Sequence, residues 1–201
     1  MKKVFLFGIV GVLLTGCAHT SVDKDLSEVQ GVTLKDIGYG QQAIDTYMVT
    51  KNIGSNVGDV KICLASTISN ASVTLNDSSG SFFGSYSGYY YQNTNTTTVQ
   101  GGNSIITESK DKVVGTGIAE YYSNGLLPIL HYARYIVTVS PQKTKTQYLF
   151  TKIEQAAKDT GSAANDGFSY VGAWSGASPM KVIGSLDSEV EKITKCLNNG
   201  N

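Results

Sequence analysis

At 201 residues, with 16 basic and 16 acidic side chains, the chain can bury the core of one domain and is marginal for two. Arg134 is the only arginine and no basic stripe exists, which excludes nucleic acid as a partner. Beyond the first residues, no apolar run approaches transmembrane length.

Lys2 and Lys3 precede an apolar run from Val4 to Leu14, too short to span a bilayer as a stable helix. The run closes on small residues and a cysteine, Leu14-Thr15-Gly16-Cys17. This segment resembles the lipobox signal peptide of a bacterial lipoprotein. The resemblance implies removal of residues 1–16 and a diacylglyceryl group, usually with a third amide-linked chain, on Cys17. Two or more acyl chains anchor stably where one does not. In such lipoproteins a residue like Ala18, in place of aspartate after the cysteine, favours the outer membrane. The expected address is therefore the outer membrane, with the domain lipid-anchored on its periplasmic face or at the cell surface. Residues 17–30, polar and small, read as a lipidated flexible tether, and 31–201 as a single globular domain. Losing Lys2 and Lys3 leaves the mature chain weakly acidic.

The same resemblance governs the cysteines. With Cys17 lipidated, Cys63 and Cys196 remain as one pair in an oxidising compartment, where a disulfide is expected and two buried thiols are the alternative. Cys63, Cys196 and His131 are too few to hold a metal.

In the domain, Ala43, Ile44, Tyr47 and Met48 recur at helical spacing, which predicts a short helix from Gln41 to Lys51. Val60-Lys61-Ile62-Cys63-Leu64 alternates like a half-buried strand. Residues 76–104 are dominated by Asn, Ser, Gly, Thr and Tyr, with no proline and no charge after Asp77. A loop this long is functional or disordered more often than not. Its tyrosines offer broad amphipathic contact area, as in antibody paratopes. Phe82, Phe83, Tyr86, Tyr89, Tyr90 and Tyr91 are thus candidate partner-binding residues, for an envelope protein or a glycan. Buried rings are commoner than exposed ones, so the expected state is a long hairpin packed back on the sheet.

Runs rich in Val, Ile, Thr and Tyr follow at 105–107, 112–122, 129–140 and 144–150, an antiparallel meander. Beyond Phe150, Ile153, Ala156 and Ala157 fit a helix or a continued strand equally. The clearest element is last: Ser178 is an N-cap candidate, Pro179 fits the first helical position, and Val182, Ile183, Leu186, Val190, Ile193 and Leu197 form one apolar face. Asp187, Glu189, Glu191 and Lys192 fall outside that face. The expected fold is α+β, an antiparallel sheet of about four or five strands with the C-terminal helix packed on it.

Catalytic signals are weak. His131 is the only histidine outside the tether, in a strand, on the face shared with Ala133 and Tyr135. The Gly84-Ser85-Tyr86-Ser87-Gly88 segment has tyrosine where a nucleophile elbow needs serine. The Gly115/Gly117 and Gly38/Gly40 pairs lack a nucleotide-binding context and suggest a bulge or close backbone approach. Asp23/Asp25 and Glu189/Glu191 read as exposed carboxylates with ordinary acidity. The sequence predicts a non-enzymatic, cofactor-free lipoprotein that binds a protein or envelope partner. The alternative is a carrier or sensor holding an apolar molecule between sheet and C-terminal helix; a hydrolase using His131 is the remaining possibility.

Overall fold

A computed structural model describes residues 21–123 and 128–199. Cys17 and the segment expected to be a signal peptide lie outside the described residues. In chain order the elements are α1 (Lys24–Glu28), β1 (Val32–Gly38), β2 (Gln41–Lys51), α2 (Val57–Thr67), β3 (Val73–Asp77), β4 (Phe82–Phe83), β5 (Tyr90–Tyr91), β6 (Asn95–Val99), β7 (Ile105–Glu108), β8 (Val113–Tyr122), β9 (Leu130–Pro141), β10 (Thr146–Ala157), β11 (Ser169–Tyr170) and α3 (Pro179–Asn199). The fold is α+β: an antiparallel sheet in the order β1-β2-β10-β9-β8-β7, with β11 on β10, and α3 packed across one face.

The meander β7–β10 follows the sequence pattern, and β10 continues through Ala157, which settles the ambiguity after Phe150 in favour of strand. Two elements differ from expectation. Gln41 to Lys51 is a strand paired with β1 and β10, and it carries a bulge, since Thr33 pairs with Thr46 but Leu34 with Ile44. The extra residue turns both Ile44 and Tyr47 to the core, and a spacing of three imitates a helix. The 60–64 segment is helical instead. Val60, Cys63 and Leu64 are buried while Ile62 is 67 % exposed, a helical and not an alternating pattern. Asn56 caps α2 by accepting the Asp59 amide at 3.0 Å.

Between the helices and the sheet lies the main core, built on Val60, Leu64, Tyr135, Tyr148, Phe150, Leu186 and Ile193. Cys63 and Cys196 form a disulfide that joins α2 to α3, with Cα atoms 5.6 Å apart. The partner element of α3 is thus a helix and not the early strand expected. Gly115 and Gly117 sit in regular β8 pairing with β9, and a Cβ at 117 would run into Ile68 and the Tyr135 hydroxyl. Close packing, one of the two readings, accounts for the residue.

The segment expected to be tether is ordered from Ser21. Asp23 Oδ1 caps α1, Leu26 is 2 % exposed, and Val22 and Val29 pack on the core. The Asp23 amide also donates to Ala173 O at 2.7 Å, so the folded unit begins before residue 31.

The apolar face of α3 is as expected from Pro179 onward, but its start and one acid are not. Ser178 adopts a left-handed conformation (φ 56°) and starts the helix through its carbonyl, which accepts the Lys181 amide at 3.0 Å. Glu189, expected on the solvated side, is 4 % exposed. It stands three residues after Leu186 and four before Ile193, which places it on the packed face. Its Oε1 accepts Lys192 Nζ at 2.8 Å, while its other oxygen and the Tyr135 hydroxyl make no hydrogen bond. Burial first, and the facing Glu189 carboxylate second, push the Tyr135 pKa far up. Tyr47 donates to Asp187 at 2.7 Å and Tyr148 pairs with Thr194 at 3.2 Å, so sheet tyrosines reach α3 at three levels.

Candidate functional site

The opposite face of the sheet carries a second, smaller core of Val73, Leu75, Ile118, Tyr132 and Ala156. Here β3 and β6 form a separate two-stranded ribbon, paired from Val73↔Val99 to Asp77↔Asn95. Past that pairing the ribbon continues as the short β4–β5 hairpin, Phe82↔Tyr91 and Phe83↔Tyr90. The 76–104 segment is therefore a built arm with its own strands.

Its rings do not pack back on the sheet. Phe82, Phe83, Tyr86, Tyr89, Tyr90 and Tyr91 are all exposed, Tyr86 completely, which overturns the packed-back expectation. The rings stack on one another instead: Phe82 on Tyr91 at 5.1 Å and Phe83 on Tyr90 at 5.0 Å between centroids. Cross-strand pairs of this kind contribute about 0.2–1 kcal/mol each, enough to order a tip but not to bury it. Gly88 (φ 68°) makes the turn, where the Gly84 amide donates to Tyr89 O and the Gly88 amide to Gly84 O, each at 2.8 Å. From Ser78 to Thr107 there is no charged residue.

The arm's root is clamped by a buried carboxylate. Asp77, 6 % exposed, accepts the Ser79 amide (2.9 Å), the Ser79 hydroxyl (2.6 Å) and Asn95 Nδ2 (2.9 Å) on Oδ1, and the Asn165 amide (3.1 Å) on Oδ2. Asn165 Nδ2 in turn donates to Asn76 O and Ala157 O. Ser79 above all, then Asn95 and Asn165, holds the Asp77 carboxyl far below its ordinary value of 3.8. A depressed carboxyl pKa gives stability that is complete above the unfolded value and is lost as pH falls through the folded one. The protection of the Ser79 and Asn165 amides, taken against the intrinsic exchange rate at each pH, should therefore fall as pH drops below 3.8, while β10 stays protected. Asp77→Ala should produce the same local loss at neutral pH; unchanged protection in that variant would contradict the clamp.

His131 offers little chemistry. It stacks on Tyr121 at 5.2 Å, burial lowers its pKa, and the Tyr121 hydroxyl donates to Gln155 at 2.7 Å and not to the imidazole. The described residues place no carboxylate in hydrogen-bond contact with His131, so the parts of a hydrolytic triad are not assembled around it. Asp23 and Asp25 lie at the α1 cap, and Glu191 pairs with Lys51 on the surface. Among the described residues, no group of three or more His, Cys, Asp or Glu could hold a metal. No described helix is long and apolar enough to cross a membrane.

The described residues carry several shallow concave features, two of which lie near groups already named. A cleft of about 120 Å³ is bordered by Asp59, Ile62 and the disulfide. A shallow groove of about 520 Å³ on the sheet lies among Lys35, Asp45, Lys152, Glu154 and Tyr170. Neither lies beneath α3, where Val182, Leu186, Val190 and Ile193 are fully buried. Sequence reasoning missed three further exposed rings, Tyr39, Tyr122 and Tyr170, because single tyrosines carry no local signal. The chain matches no protein-family model, no curated protein and no solved structure.

Proposed function

We propose that this protein is a non-enzymatic, lipid-anchored protein of the bacterial outer membrane that engages a component of the cell envelope through its aromatic arm. One observation carries the binding reading: six aromatic rings stand exposed on a charge-free hairpin, over a core that is already filled. Exposed contiguous aromatic surface of this kind marks interaction sites in soluble domains. The rings are preordered by stacking and by the Asp77 clamp, which lowers the ordering cost of binding. The lipobox supports the anchor and the address. The packed interior beneath α3 weighs against a carrier of apolar molecules, which needs a cavity there.

The reading is tested with a photo-crosslinking side chain at position 86, at the arm tip, or at position 62, on α2. Irradiated cells should give an adduct to an envelope component from position 86 and none from 62. No adduct from position 86 would remove the arm as a binding surface.

A further inference from the structure

The exposed aromatic rings of the described residues gather at one end of the sheet, and the backbone at Asp23, six residues after Cys17, is bound at that same end. The β1–β2 turn there presents Tyr39, 100 % exposed, between Gly38 and Gly40, all three with positive φ. Tyr122 closes β8 at this end and Tyr170 pairs with Glu154 near it. The arm leaves by the same route, since Asn76 bridges in parallel to Asp159, just past the end of β10. Asp23 is held here too, because its amide donates to Ala173 O and the Ala173 amide to Gln42 O, beside the Tyr39 turn. Away from this end the exposed apolar side chains are aliphatic: Met48, Ile62 and Ile106.

Reach then decides what the arm meets. Only four residue steps separate Cys17 from Ser21, so a lipid on Cys17 lies within about 14 Å of the folded unit. The arm turns once after Asp77, where the Ser81 amide donates to Ser78 O at 3.0 Å, and then carries the rings from Phe82 to Tyr91 outward from that end. A leash this short holds the end that carries the arm beside the membrane, within the arm's reach.

Resting on the anchor proposed above, we infer that the arm's partner is the bilayer holding Cys17, and that its rings, with Tyr39 and Tyr122, seat in the headgroup zone. The chemistry fits that medium. Tyrosine places an apolar ring against acyl chains and a hydroxyl among headgroups, and it is enriched at such interfaces. The thirty residues from Ser78 to Thr107 bring no charge that would need desolvation. Rings lie on both faces of the hairpin, Phe82 with Tyr91 and Phe83 with Tyr90, where a protein groove would cover one face and a fluid interface wets both. Asp23, Lys24 and Asp25 at the exit form no basic patch, so seating requires no anionic lipid.

The test uses the full lipidated protein in phosphatidylcholine vesicles with brominated acyl chains, and the variants Tyr86→Trp and Ile62→Trp. Both positions are exposed, so neither change disturbs the fold, and the chain's one native tryptophan, Trp174, supplies the background. The added emission at position 86 should fall relative to vesicles of the unbrominated lipid, as for a ring at the interface, and that at 62 should not change. Unchanged emission at position 86, with acyl mass present on the Cys17 peptide, would overturn the bilayer as partner and leave the anchor intact. A Cys17 peptide without acyl mass would overturn the anchor and this inference together.

Discussion

Cys196→Ser is expected to lower the melting temperature of the domain by about 10–20 °C, the largest effect of any single surface-accessible change. The bond closes a loop of 133 residues, for which chain entropy alone gives about 5 kcal/mol. The location adds to this. Cys63 is buried on α2, and the contacts between α2 and α3 are the main ones holding the two helices together. Calorimetry with and without reductant checks the expectation, the variant and the reduced protein melting alike. An unchanged melt would mean that the packing of Leu64, Val190, Ile193 and Leu197 holds the helices without the bond.

Phe150→Ala should cost about 3–5 kcal/mol, the second largest effect. Phe150 is fully buried at the crossing of the sheet and α3, edge-on to Tyr135 at 5.2 Å and parallel to Tyr47 at 6.1 Å. Both tyrosines reach α3, one donating to Asp187 and the other facing Glu189, so a cavity at 150 also loosens the helix's polar contacts. Urea unfolding should show a lower midpoint with unchanged slope. Phe150→Leu, which keeps most of the volume, should lose markedly less. Equal losses in the two variants would show that the ring-to-ring packing, and not the volume, carries the stability.

Legibility followed how local each signal was. α3 could be read because twenty-one residues repeat one apolar face, and β8 and β9 because long runs of β-branched and aromatic residues favour strand wherever they lie. β2 misled, and the end of β10 stayed ambiguous, for one shared reason. Each contains a bulge, between Thr33 and Leu34 opposite Ile44 in one and between Thr151 and Glu154 in the other, with Lys152 at φ 49°. An inserted residue changes the spacing of core side chains from two to three, as in Ile44/Tyr47 and Phe150/Ile153, and three is also a helical spacing. α2 misled because a short apolar run has no period of its own; the sheet face and Cys196 decide which of its residues are inside.

By itself the sequence determined the α+β class, the C-terminal helix, the meander and the unusual charge-free stretch, since each rests on composition or periodicity within a few turns of chain. Only the tertiary structure decided that Phe82 to Tyr91 stand in solvent, that Glu189 is buried, and that Tyr39, Tyr122 and the arm gather where Asp23 is held. Exposure and juxtaposition depend on contacts between residues far apart in the chain, and no local pattern of residues encodes them.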